Sequence, residues 1–463
     1  MPHKKWEYML YSFYDRTGIQ AHLEQMAAKG WMLEKMDRFF WTYRRAEPKA
    51  VHFSVIYFAP ASEFDCAPGE EQQTFLDYCA AAGWTLAASW SQMLIFATEA
   101  SSPTPIETDA AVQVEAVHQA MKKSFLLSYG ILLALALFQL VRDLSDLWHH
   151  PTDTLANPAA LGALVLWLLI VLRCATEIAS YFLWRRKATR TAAEEGRFTP
   201  TRGHRRLWLV HELLSAACLL NIFFSISTQY ALLLVGVLVV LIALQGLLAG
   251  LRHLMRRTGW TTEVNRLVTQ ILSFLVALVV ILGINWGAVR LMRDAPWRET
   301  YTWQGDEYDV HPMDLPLTME DLAGERYEHV SRDLIETRTF FLARRTCRET
   351  VGLPQKQVSL YYEVTDILRP WLRDTVVRDY LENDDLVGYI GTHKLTFHRT
   401  WLPEEDPGAW GADAVYRRYR GEEEKPTSQF LLFYGGRMVE LELDQEPTDT
   451  QRALVGERLG KTA

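Results

Sequence analysis

Cysteine is scarce in this chain of 463 residues: there are five, at positions 66, 79, 174, 218 and 347. None falls in a CxxC pair or at metal-ligand spacing, which excludes the common zinc and dithiol motifs. Positive charge is short as well. Lys and Arg number 48 against 56 Asp and Glu, a formal net charge of −8, so a nucleic-acid partner is not expected. The opening residues MPHKKWEYML hold two lysines but no apolar core, and no cleavable signal peptide is expected there. Catalytic signatures are missing too. HELLS at 211–215 lacks the second histidine of a zincin helix, GERLGKT at 456–462 is one residue short of a phosphate loop, and no G-x-S-x-G occurs. His393, His398 and the His149-His150 doublet read as surface or turn histidines. No metal, no cofactor and no enzymatic activity are expected.

What is present is a repeat. MAAKGWML at 26–33 returns as CAAAGWTL at 79–86, at an offset of 53. A helical pattern precedes each copy, IQAHLEQMAAK and EEQQTFLDYCAAA, with apolar residues three and four apart. Gly30 and Gly83 stand just past these helices, where a left-handed backbone favours glycine. Trp31 and Trp84 follow, placed to pack back on the helix just left. Alternating runs come next, MLEKMDRFFWTYRR and TLAASWSQMLIFAT, and a strand precedes each helix, WEYMLYSF and VHFSVIYFAP. The unit is β-α-β(β), used twice, which predicts an α+β domain over residues 1–100. Its duplication accounts for both tryptophans as core plugs without a ligand.

Strand, helix, "AAKGW" and an aromatic hairpin, written twice and joined to an apolar region, resemble the bacterial domain-of-unknown-function 2812 family over roughly residues 3–98. WGADAVYRRYRG at 410–421 with FLLFYGGRMVELEL after it resembles the tail of its longer members. The resemblance implies a Gram-positive membrane protein. Relatives are often encoded beside PadR-type transcriptional regulators, which implies a regulatory or envelope-response role.

After a helical linker at 101–123, five apolar segments within 124–292 are long enough to cross a bilayer: 124–141, 158–184, 207–226, 231–251 and 267–287. The loop 185–206 carries eight basic residues and 252–266 carries Arg252, Arg256, Arg257 and Arg266, while 227–230 has none. By the positive-inside rule the N-terminus is cytoplasmic and the C-terminus extracytoplasmic, in a bacterial cytoplasmic membrane. Arg290, Arg293 and Arg298 run against that rule and are outnumbered. Trp184 and Trp208 read as headgroup anchors. Counted inward from them at about 1.5 Å per residue, Arg173, Glu177, Asn221 and Gln245 form an intramembrane polar cluster. Arg173 and Glu177 share a helix face, and charges at such depth are costly unless paired.

Residues 293–463 read as an extracytoplasmic α+β domain. From 297 onward it holds 32 acidic against 21 basic residues, so the chain's negative charge lies here. Cys347 is the one cysteine in it, which excludes an internal disulfide; Arg344, Arg345 and Arg348 beside it are placed to lower its pKa, but it reads first as a bystander thiol. SLYYEVTDILRPWLRDTVVRDYLE shows helical spacing at Leu368, Leu372, Val376 and Tyr380, with Pro370 bending or dividing it. QFLLFYGGRMVELEL reads as a hairpin turning at Gly435-Gly436. Two folded domains flanking a membrane region predict a sensor or regulator. The polar residues Arg173, Glu177, Asn221, Gln245 and Asn285 support a second reading, a small transporter or accessory subunit. The expected partners are the lipid bilayer and a protein in the cytosol or membrane, with a homo-oligomer left open.

Overall fold

In the computed structural model of the chain both copies of the repeat fold alike. The first runs β1 (Lys4–Tyr8), α1 (Arg16–Ala28), β2 (Trp31–Met36) and β3 (Phe40–Arg45); the second runs β4 (His52–Tyr57), α2 (Glu70–Ala81), β5 (Thr85–Trp90) and β6 (Met93–Thr98). The structure describes residues 4–225 and 261–461, apart from 38–39, 63–64, 66, 202, 294–298, 304–305, 311–313, 328–329, 353–356, 383–385, 391–392, 398 and 421–424. Between 226 and 260 it describes only 240, 244, 246, 247, 250 and 254.

Each copy makes a three-stranded antiparallel sheet with the same order, β1-β3-β2 and β4-β6-β5. The register breaks at the same repeat position, between Leu33 and Lys35 and between Leu86 and Ala88. Gly30 at φ +79° and Gly83 at φ +83° end the two helices, their amides donating to Ala27 and Ala80. Trp6 faces Thr42 where Val55 faces Ile95. The first strands therefore lie 49 residues apart (55 − 6) and the third strands 53 (95 − 42), so the loop before α2 is four residues longer.

The copies are buried differently. β6 is buried at every position, because each face of its sheet has a cover. Ile56, Leu94 and Phe96 pack with Cys79 of α2 and Trp84. Val55, Tyr57, Met93 and Ile95 join Ile19, Leu23 and Met26 of α1 in the main core. A strand covered on both faces reads as a continuous apolar run, MLIFAT. In β3 only Trp41 and Tyr43 enter the core, while Phe40 and Arg44 are exposed.

Two units divide the chain: Met1–Leu140, Leu166–Leu219 and Gln229–Asn285, and then Val141–Val165, Leu220–Thr228 and Trp286–Ala463. In the first, the expected linker is a core element. Helix α3 (Ala110–Met121) buries Val114, Val117, Ala120 and Met121 in the repeat core. A π-helical stretch, Lys122–Leu126, connects it to α4 (Leu127–His149). After α5 (Pro151–Ala156), α6 runs unbroken over Pro158–Glu195, past the end expected at Trp184. Cys174, Glu177, Tyr181, Trp184, Ala188 and Ala192 are its buried stripe, and Tyr181, Trp184 and Ala188 belong to the repeat core. Helix α7 spans Arg205–Ser225.

Among the described residues three helices, α4, α6 and α7, are long and apolar enough to cross a membrane. Only 11%, 11% and 6% of their apolar windows are buried, far less than a soluble helix with one face on a core. The segment expected at 267–287 lies within one continuous helix, α8 (Thr262–Arg293). The one expected at 231–251 falls outside the described residues, scattered positions aside.

The second unit holds the C-terminal domain. Its strands are β7 (Glu299–Trp303), β8 (Asp306–Val310), β9 (Val330–Arg338), β10 (Leu342–Gly352), β11 (Gln357–Ile367), β12 (Leu386–Ile390), β13 (His393–Phe397), β14 (Arg399–Pro403), β15 (Ala414–Arg420), β16 (Lys425–Tyr434) and β17 (Arg437–Glu442). Seven of them form an antiparallel sheet in the order β14-β15-β16-β17-β11-β10-β9. Successive side chains of β16 serve opposite cores: Phe430 and Leu432 pack with Trp410, Val455 and Leu459, and Leu431 and Phe433 with Leu372, Val376 and Leu155. The Gly435-Gly436 turn forms as expected, Tyr434 facing Arg437. The helical reading of 359–382 holds only after Pro370. Before it, Val358, Leu360, Tyr362 and Val364 are buried at a period of two, and the segment is strand β11; the three-four spacing read from Leu368 onward begins only after it. Cys347 is fully buried, and that burial pushes its thiol up rather than down.

Candidate functional site

The site is assembled in the first unit where the loop between β1 and α1, residues 9–15, meets α6 and α7. Asp15 caps α1, accepting from the Gly18 amide at 3.1 Å, the usual service of an aspartate at a helix N-terminus. That cap is 1% exposed, because the segment after α6 lies over it. Thr201 donates its hydroxyl to Asp15 Oδ1 at 2.7 Å and accepts from the Thr17 amide at 3.1 Å. Thr17 Oγ1 in turn donates to the Thr201 carbonyl at 2.8 Å. Burial raises the Asp15 carboxyl above its ordinary pKa, partly offset by the Thr201 and Gly18 bonds. An ideal Cβ on Gly203 would collide with Asp15 Oδ2, so a side chain there would force the Asp15 carboxylate to shift.

Arg173 and Glu177 do pair, with 3.5 Å between Nη2 and Oε1. Glu177 is 5% exposed and accepts from Ser12 Oγ at 2.8 Å. The Arg173 guanidinium lies 3.5 Å over the centroid of the Trp208 ring, a cation–π contact. Its Nη1 has no hydrogen-bond partner among the described residues. The pair thus sits against the loop of the repeat domain, at the level where α6 enters that domain's core.

Trp184 and Trp208, from which depth is counted, both make protein contacts. Trp184 packs on Tyr14 and donates its indole N–H to the Thr199 carbonyl at 3.1 Å, and Trp208 is 2% exposed beneath Arg173. Both indoles are buried among protein groups. The Asn221 amide donates to the Pro158 carbonyl at 2.7 Å, within the second unit. Gln245 lies outside the described residues. Of the repeat residues, Trp84 is 5% exposed and donates to the Thr104 carbonyl at 2.8 Å. Trp31 is half-buried at the core's edge, with Arg45 over its ring at 5.1 Å.

Sequence reasoning missed Ser12, Asp15 and Thr201, which lie 165 to 186 residues from their partners. It also missed Glu7, which pairs with His22 at 3.1 Å and Arg205 at 3.1 Å. The hydrogen bond from His22 holds the Glu7 carboxyl below its ordinary pKa. The readable signal was the three-four stripe of α6, which continues past Trp184 to Ala188 and Ala192.

A cavity of about 310 Å³ opens beside this junction, lined by Tyr8, Tyr11, Phe13, Trp41, Trp90, Phe125 and Tyr129 together with Asp37, Arg173 and Glu212. Phe13 stacks on Phe125 at 4.0 Å, and Trp90 meets both edge-on, a rigid aromatic wall. Among the described residues no group of three His, Cys, Asp or Glu could hold a metal ion.

Residues 16–129 match the family model described as "Protein of unknown function (DUF2812)". No curated protein and no solved structure matches the chain. From α1 to the Phe125 and Tyr129 wall of the cavity, residues 16–129 are similar to the DUF2812 family.

Proposed function

We propose that the chain is a bacterial membrane sensor or regulator in which a change in the membrane helices is passed to the repeat domain. The observation that carries this reading is the Ser12–Glu177 hydrogen bond. A costly charge on a long apolar helix finds its partner in the repeat domain, so a shift of α6 reaches that domain through a buried polar contact. Two readings of topology go with it: five spans, and a cytoplasmic N-terminus with an extracytoplasmic C-terminus. Contacts within each unit support them. The repeat domain is bonded to Thr201 and Arg205 of the basic loop after α6. The C-terminal sheet is bonded to the segment between α4 and α6, through Arg344 to Asp153 and Thr339 to Leu155.

A transporter or accessory subunit draws support from the cavity beside Arg173. The two readings separate in a strain lacking the gene, challenged with envelope stress while its transcripts are profiled. A regulator leaves neighbouring transcripts altered. Unchanged transcripts, with altered uptake or export of a solute, would replace this reading with transport.

A further inference from the structure

Among the described residues from 299 onward, three large apolar side chains are exposed: Ile335, Phe340 and Trp371. Ile335 lies on the edge strand β9, whereas Phe340 and Trp371 share one patch beside α5. We propose that this patch docks on the phospholipid headgroup layer of the bilayer that α4 and α6 cross. The docking rests on the membrane reading of those two helices. It goes beyond the sensor reading, whose outcome does not decide it.

Both rings are held outward by turns. Phe340 is at the tip of the turn between β9 and β10, which Thr339 closes. The Thr339 amide donates to the Leu342 carbonyl at 2.8 Å, and its hydroxyl oxygen accepts from the Phe341 and Leu342 amides at 3.1 Å each. Turn tips favour glycine, asparagine and aspartate; this one carries two phenylalanines. Trp371 follows Pro370 in a single 3₁₀ turn whose next residue, Leu372, is buried in the core. The two turns are joined, the Leu368 amide donating to the Phe341 carbonyl at 3.0 Å. Phe341 stands edge-on to Phe340 at 5.3 Å and to Trp371 at 6.3 Å. Arg369 lays its guanidinium 3.7 Å over the Phe340 ring. Aromatic rings with a long cationic side chain beside them are the composition of a membrane–water interface.

Contacts within the second unit fix the level of the patch. Thr339 Oγ1 donates to the Leu155 carbonyl at 2.7 Å, and α6 begins just beyond, at Pro158. Leu147 in the last turn of α4 and Leu161 in the first turn of α6 pack on the core that includes Phe341, Leu342 and Leu372. Arg142, Asp143 and Asp146 end the apolar run of α4 before Leu147, so this core lies outside the hydrocarbon and beside the headgroups. Trp148, the next residue of α4, is exposed there as well. Seating in the headgroup layer withdraws the exposed ring area from water, which is favourable, and asks no opening of the fold.

The test places the photoreactive residue p-benzoylphenylalanine at one position at a time in the full-length protein, reconstituted in phosphatidylcholine nanodiscs, with adducts identified by mass spectrometry. Positions 340 and 371 report the patch; both are exposed, so another aromatic ring there leaves the core intact. Position 335 is the exposed control, roughly 16 Å before Phe340 at the rise of an extended strand. Position 135, where Leu135 is exposed in the apolar run of α4, reports the membrane reading itself. The expected result is phospholipid adducts at 135, 340 and 371 and none at 335. Lipid adducts at 135 but not at both 340 and 371 would overturn the docking alone. So would labelling of 335 as strong as that of the patch, or crosslinks from the patch to a second copy of the chain in place of lipid. No lipid adduct at any position would end the membrane reading of α4 and the docking with it. The sensor reading fails separately, on unchanged transcripts in the deletion strain.

Discussion

Replacing Ser12 by alanine removes one hydroxyl, and the structure sets what that costs. Ser12 is 4% exposed and Glu177 5%, so the bond is buried, and Ser12 also lines the cavity beside it. A hydrogen bond to a buried charged group contributes about 1.5–3 kcal/mol, against about 0.5–1.5 kcal/mol for a neutral pair. Once the hydroxyl is gone, the partner left to Glu177 among the described residues is Arg173, at 3.5 Å. Ser12→Ala should therefore loosen the repeat domain from α6 by about 1.5–3 kcal/mol, roughly ten- to a hundredfold in the docking equilibrium. Glu177→Gln keeps a carbonyl oxygen for Ser12 while removing the charge. In that background the same alanine should cost about 1 kcal/mol less, which is the coupling term of the double-mutant cycle. The assay is native-state proteolysis of the four proteins in micelles, followed at the loop 9–15. A Ser12→Ala effect below about 0.5 kcal/mol, the level of an ordinary surface change, or costs that simply add, would refute the argument that this bond joins the domain to the helix.

Three further outcomes follow from named contacts. Asp15 is raised in the folded state, chiefly by burial. The stability it contributes is therefore complete below the ordinary carboxylate range and is lost as pH rises through its folded value. Asp15→Asn, which keeps an acceptor for Thr201, should flatten that fall in thermal unfolding measured from acid to neutral pH, whereas Asp15→Ala should lower stability at every pH by about 1–3 kcal/mol. Gly30→Ala and Gly83→Ala both force a left-handed alanine, costing about 1–2 kcal/mol. Gly30→Ala should cost more, because its Cβ would meet the Ala46 carbonyl at 2.7 Å while that of Gly83 meets nothing; equal melting temperatures would contradict this. Alkaline phosphatase fused after residue 300 should be active and after residue 195 inactive, and the reverse pattern would overturn the proposed topology.

The repeat was legible because its signals are local: a glycine at a left-handed turn, a tryptophan after it, and strands whose apolar pattern matches their burial. The boundaries were not. Residues 101–123 have the composition of a linker, yet Val114, Val117 and Met121 fill the repeat core, a fact set by elements far along the chain. The three-four spacing from Leu368 to Tyr380 begins only after β11, so it carried no information on that strand, whose period of two is made decisive by the sheet on either side. At the site, Arg173 and Glu177 stood out as charges in an apolar run. Their partner, one serine among many, gave no signal at a separation of 165 residues. Trp184 was misleading for a physical reason. An indole with an apolar body and one donor suits a headgroup layer, and it equally suits a core that offers the Thr199 carbonyl.

The central claim is that the loop 9–15 and α6 from Cys174 to Trp184 form one cooperative piece. Amide hydrogen exchange of the full-length protein in lipid nanodiscs measures this directly, since residues that open together exchange with one free energy. The account predicts equal opening free energies for the two segments, falling together in Ser12→Ala. Opening of 9–15 at a much lower free energy than α6, with Ser12→Ala changing neither, would contradict it.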